Sequence, residues 1–151
     1  MTRHGPNSEH PSSKADGRLE ETAMLPDDKK PVEAFQEKLM AAIKACGFDD
    51  ASTFAVRLSL EEAMANGFRH GNQGDPEKTL KVSYQVTPEE VRIEVEDQGS
   101  GFDPDAVPDP TEDVNLEIPS GRGIMLIRAY MTEVRFHPPG NRMEMVFRPG
   151  A

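Results

Sequence analysis

From Lys29 to Ala45 the apolar residues Val32, Phe35, Leu39, Ala42 and Ile43 recur at intervals of three and four, and Gly47 follows. This is the period of a helix with one buried face and a glycine stop. A second run holds Phe54, Leu58, Leu60, Met64, Ala65 and Phe68. It predicts a helix capped by Ser52, extending to about His70 and ended by Gly71. The pattern then changes to strict alternation in TLKVSYQV and VRIEVE, separated by Pro88-Glu89-Glu90, which predicts an antiparallel hairpin with one solvated face. GRGIMLIRAYM reads as a glycine turn into a third helix, and EVRFHP and RMEMVF as a closing hairpin around Pro139-Gly140-Asn141. Upstream, LEETAML reads as an edge strand stopped by Pro26. There is no internal repeat. The order strand, helix, helix, hairpin, loop, helix, hairpin predicts an α+β fold: a two-layer α/β sandwich whose mostly antiparallel sheet carries helices on one face.

Two stretches fall outside this pattern. Residues 1–17 are rich in Ser, Pro, Gly, Asn, His and charge with almost nothing apolar, so they are expected to form a disordered tail before a domain spanning 18–151. Residues 102–120 are acidic and proline-rich, and a long connection of this kind inside a small domain is typically a lid or binding loop.

The chain has 151 residues, enough to bury a core without disulfides or metals. Its net charge of −10 argues against binding nucleic acid, which needs a basic footprint. No apolar run approaches the roughly 20 residues of a membrane helix, and the first residues lack a signal-peptide core. A soluble, cytoplasmic protein without a membrane partner is expected. The lone Cys46 is read as a small apolar group. His4 and His10 have no neighbours at metal-ligand spacing, and Met125, Leu126, Met143 and Met145 are expected in the core.

Three clusters can carry chemistry. Glu62 and Asn66, four residues apart, lie on one helix face, where an amide oxygen suits a hard cation and a carboxylate suits a base. The same pair also fits a solvated helix face. His70 is placed either to touch a phosphate or to meet the carbonyls at the helix end. Asp97-Gln98-Gly99-Ser100-Gly101 ends a strand with an acceptor and two glycines that let backbone approach a ligand, or simply turn. Gly121-Arg122-Gly123 opens the last helix, where amides at the positive end of the dipole suit polyphosphate. The dinucleotide-fold glycine pattern and the phosphate loop ending in Gly-Lys-Ser/Thr are both missing.

Taken in order, EEAMAN on a helix, a hairpin ending in DQGSG, a loop, and SGRGIMLIR resemble the histidine-kinase-like ATPase (GHKL, Bergerat-fold) superfamily, over roughly Leu19 to Pro149. EEAMANGFRHGN and the lack of appended domains resemble its stand-alone anti-sigma-factor serine/threonine kinases. The resemblance implies ATP and Mg²⁺ as cofactors, Asn66 as the metal ligand and Asp97 as the adenine-reading carboxylate. It places Gly99 and Gly101 in the first glycine box, Gly121, Arg122 and Gly123 in the second, and Glu62 as the catalytic base. The adjacent Glu61 is turned about 100° away on the helix.

It further implies transfer of phosphate from ATP to a serine or threonine of an anti-anti-sigma-type partner, sequestration of a sigma factor, and dimerisation. A non-catalytic, nucleotide-gated binding switch is the alternative. Two features depart from the pattern. Asn141 follows Gly140 where the family usually has threonine, which leaves that contact to Asn141 or to water. The loop acids Asp103, Asp105, Asp109, Glu112, Asp113 and Glu117 must face solvent or metal.

Overall fold

The computed structural model describes residues 12–13, 18–99, 121–138 and 140–150. Its elements are β1 (Ser12–Ser13), β2 (Leu19–Pro26), α1 (Lys29–Ala45), α2 (Asp50–Asn66), a π-helical turn (Gly67–Gly71), β3 (Thr79–Val86), β4 (Val91–Glu96), α3 (Gly121–Tyr130), β5 (Glu133–His137) and β6 (Arg142–Phe147). The strands form one sheet in the order β1-β2-β3-β4-β6-β5, with every pairing antiparallel. Alternation sets the register: Val82 faces Val95, Tyr84 faces Ile93, and Ile93 faces Met145, so one side of the sheet is continuously apolar.

The helices close over that side. Phe35, Leu39, Met40 and Ile43 of α1 pack with Val56, Leu60, Ala63 and Met64 of α2 and Ile127 of α3 on Leu80, Val82, Tyr84, Val86, Ile93 and Met145. Each fully buried aliphatic side chain of this kind contributes about 1.5–3 kcal/mol relative to exposure. Phe35 meets Tyr84 edge to face, with ring centroids 5.5 Å apart. This is the two-layer α+β sandwich that the periodicity predicts. The α1 boundaries also agree, with Asp28 capping its start and Gly47, at φ 91°, ending it.

Several expectations need correction. The cap of α2 is Asp49 and not Ser52: the Asp49 carboxylate accepts the Ser52 backbone N–H at 2.8 Å, and the Ser52 hydroxyl, together with that N–H, holds the Asp49 carboxyl below its usual range. Ser52 occupies the third helical position, where its N–H is one of the donors a cap satisfies. Beyond Asn66 the helix does not stay α-helical. It widens into a π turn closed by the Asn72 N–H on the Gly67 carbonyl at 2.8 Å.

Met125 and Leu126 are not core residues. Ile124 and Ile127 of α3, with Met131 just beyond it, take the buried stripe, so Met125 and Leu126 rotate outward, whereas Met143 and Met145 are buried as expected. Ser12 and Ser13 form β1, Ser12 opposite Glu20 and Ser13 opposite Leu19. The expected loop at 102–120, like Gly101, lies outside the described residues.

Candidate functional site

The end of α2, the π turn, the end of β4 and the start of β6 surround a cavity of about 380 Å³. Its apolar lining comes from Ala63, Val95, Phe136 and Met143, and its polar lining from Asn66, His70, Gln73, Lys78, Asp97, Gln98 and Asn141. A cavity with an apolar side and a polar side suits a flat heteroaromatic ligand with a polar tail.

Asp97 stands where β4 leaves the sheet. Its Oδ1 accepts the Gly99 N–H at 2.7 Å. Burial pushes its carboxyl above the usual carboxylate range, helped by neighbouring Glu96 and opposed by the Gly99 N–H and Lys78. Two asparagines fix the backbone on either side. Asn141 donates its side-chain N–H to the Asp97 carbonyl at 2.9 Å, and its own carbonyl accepts the Asp97 N–H at 2.9 Å. Asn72, fully buried, accepts the Gln98 N–H at 2.7 Å and donates to the Thr79 carbonyl at 3.0 Å. Asn141 therefore supports the Asp97 backbone directly.

Two glycines are required by proximity, without positive φ. A methyl group on Gly71 would lie 2.2 Å from the Asp97 carboxylate, and one on Gly99 would lie 2.2 Å from the Gly71 carbonyl oxygen. The π turn and the strand end are thus in backbone contact, which only glycine permits at these positions.

Glu62 and Asn66 lie on the same stripe of α2, facing the start of α3. A methyl group on Gly123 would sit 3.0 Å from Glu62 Oε1 and 3.3 Å from Asn66 Nδ2. Asn66 Nδ2 is buried without a hydrogen-bond partner. A buried donor left unmet is costly, so this amide is placed for an acceptor that the described residues do not supply. Glu61, one residue earlier, is engaged elsewhere: its Oε2 accepts from Arg57 Nε at 3.3 Å and from Gln36 Nε2 at 3.4 Å. The helical rotation separating the two glutamates therefore has a structural counterpart.

Of the residues singled out in the sequence, Glu62, Asn66 and Gly123 come together at one end of the site, and Asp97 and Gly99 at the other. Asn66 lines the cavity between them. Gly121 and Arg122 open α3, and His70 lines the cavity. Sequence reasoning did not single out Asn72, Lys78 or Gln98 and treated Gly71 only as a helix stop. The available signal was the string HGN directly after the helix. A glycine with no need for positive φ and a buried asparagine at the head of a turn are informative only once the strand end beside them is known.

An antiparallel sheet backed by helices, with a partly buried aspartate at a strand end facing a helix-borne asparagine across a cavity, is the architecture of a nucleotide-binding ATPase domain. Residues 25–147 match the histidine kinase-like ATPase domain, and the chain belongs to that family. It is also similar to two curated proteins named serine-protein kinase RsbW. The one from Listeria monocytogenes serovar 1/2a is 23% identical over 122 residues, covering 77% of this chain and 78% of the relative. The one from Listeria innocua serovar 6a is 22% identical over the same length and coverage.

Proposed function

We propose that this chain is an ATP-dependent serine/threonine protein kinase of the anti-sigma type, which phosphorylates an anti-anti-sigma-type protein and sequesters a sigma factor. The observation that carries this reading is the convergence of Glu62 Oε1 and the unpartnered Asn66 amide on Gly123, beside the cavity that Asp97 borders. Family membership and the similarity to serine-protein kinases support it.

In this reading Asp97 accepts a hydrogen bond from the exocyclic amine of adenine, with Gly99 and Gly101 allowing close approach. The apolar lining from Val95, Phe136 and Met143 takes the ring faces. The start of α3, Gly121-Arg122-Gly123, receives the phosphates, because helix N-terminal amides favour negative charge. Asn66 would hold Mg²⁺ through its amide oxygen. The fit is chemical: a hard oxygen donor is present, the unmet Nδ2 donor beside it suits a phosphate oxygen, and Mg²⁺ is commonly held by one or two protein oxygens plus substrate phosphates. When bound, Mg²⁺ neutralises phosphate charge.

Glu62 takes the proton from the acceptor hydroxyl as its oxygen bonds to the γ-phosphorus and the bond to ADP breaks. Phosphoryl transfer needs positioning and charge neutralisation more than covalent help, so one base, one metal ligand and helix-end amides form a sufficient set. The test is transfer of labelled γ-phosphate from ATP to purified anti-anti-sigma-type proteins by wild type and Glu62→Gln. Loss of general base catalysis should lower transfer by about 10²–10⁴-fold while ADP binding persists. Unchanged transfer by Glu62→Gln would remove Glu62 from the mechanism.

A further inference from the structure

The largest apolar exposure outside the cavity lies on the two helices that carry Glu62 and Gly123. Phe54 of α2 is 57% exposed and Tyr130 of α3 is 39% exposed, yet their rings meet edge to face with centroids 6.0 Å apart. Met125, 61% exposed, and Leu126, 37% exposed, belong to the same helix α3. Two aromatic rings ordered against each other in water are a preformed anchor, of the residue types that dominate binding hot spots.

Position on the helix ties this face to the proposed chemistry. Phe54, Leu58, Glu62 and Asn66 are spaced four apart, so they share one stripe of α2. Eight residues at 1.5 Å each separate Phe54 from Glu62, about 12 Å. α3 runs antiparallel to α2, with Gly123 against Glu62 and Tyr130 against Phe54.

We propose that the Phe54–Tyr130 face of α2 and α3 is the docking surface for the protein that carries the acceptor hydroxyl; this rests on the kinase reading. The occupant follows from continuity, area and charge. A macromolecule that delivers a hydroxyl to Glu62 must extend over the neighbouring helix surface, and this face continues the same stripe. At about 200 Å² per large side chain, Phe54, Tyr130 and Leu126, which precedes Tyr130 by four on the same side of α3, expose on the order of 270 Å². That is about a third of the roughly 800 Å² per partner in a stable interface, suiting a substrate that must leave after phosphorylation. A second copy is disfavoured because each chain carries a net charge of −10.

The experiment measures steady-state phosphotransfer to an anti-anti-sigma-type protein that the wild type phosphorylates, alongside ADP titration, melting temperature and sedimentation. The variants are Phe54→Ser, Tyr130→Ser and Leu126→Lys, the last at an exposed position on the same side of α3 as Tyr130. The expected result is a rise in KM for the protein acceptor of about tenfold, with kcat, ADP affinity and melting temperature held. Unchanged KM overturns the proposal, as does a fall in kcat alone, which would mean an effect on the catalytic helix. A dimer that dissociates in the variants would assign the face to a second copy, and a large drop in melting temperature would assign it to this chain's own packing; both overturn the proposal. Absence of any transfer by the wild type defeats the kinase reading and the docking proposal together, whereas transfer with unchanged KM defeats docking alone.

Discussion

Two carboxylates in this small domain have opposite surroundings. Glu144 lies in the middle of β6, on the side of the sheet turned away from the helices. Arg92 reaches it at 2.5 Å and His137 Nε2 lies 2.9 Å from its other oxygen. Around it, Arg148 bridges Glu90 and Glu133, and Arg92 also holds Glu90. Every charge in this cluster meets an opposite charge, and the His137 contact, with help from Arg92, holds the Glu144 carboxyl below its usual range.

Asp97 lies at the end of β4 beside the cavity. Among the described residues its carboxylate accepts the Gly99 backbone N–H, and burial raises its pKa. The Asn66 amide nearby has an unmet donor. A polar group fully answered by the protein is architecture; buried groups with capacity left over that also border a cavity, as Asn66 and Asp97 do, are where a ligand belongs.

Three experiments bear on that contrast, and the largest effect is expected at Gly71. Alanine there would drive a methyl group into the Asp97 carboxylate, so Gly71→Ala should abolish adenine nucleotide binding in a calorimetric titration. It should also cost about 1–3 kcal/mol of stability in urea unfolding. If binding survives, the contact between the π turn and the strand end does not shape the site.

Asp97→Asn should weaken ADP binding by about a hundredfold, the loss of one hydrogen bond to a charged group, yet leave the ligand-free protein as stable as wild type or more so. The sign follows from linkage. A carboxyl raised in the folded state loses its proton first in the unfolded chain, so stability declines as pH rises from the ordinary value of 3.8 through the raised value. The variant should lack that decline in melting temperature against pH. A destabilised Asp97→Asn would mean that Asp97 serves the fold.

Glu144→Gln should show the smallest effect, with the opposite sign. A lowered carboxyl contributes stability that is present above the ordinary value of 4.5 and lost as pH falls through the lowered value. The variant should be slightly less stable at neutral pH, lose less on acidification, and bind nucleotide like wild type. Changed nucleotide affinity in this variant would break the division between the two regions.

Much of the fold was readable because period is a local property. The alternation of Leu80, Val82, Tyr84 and Val86 and the three-four spacing of α1 each imply one buried face whatever lies opposite. The errors arose where two local rules compete. Aspartate and serine are both good caps, and only the backbone entering α2 decides that Asp49 acts as the cap. Ile-Met-Leu-Ile is apolar throughout, so its period is silent about which side faces in, and packing against α2 and β5 turns Met125 outward.

The sequence by itself determined the order of elements, the two-layer architecture, and the candidates Glu62, Asn66, Asp97 and Gly123, since these follow from spacing along one element at a time. Tertiary structure alone decided that Gly71 must be glycine and that Asn72 and Asn141 hold the Asp97 backbone. It also separated Glu62, facing Gly123, from Glu61, held by Arg57 and Gln36. Each of those facts is a distance between residues remote in the chain, and such a distance exists only once the hydrophobic faces have closed and fixed the helices against the end of the sheet.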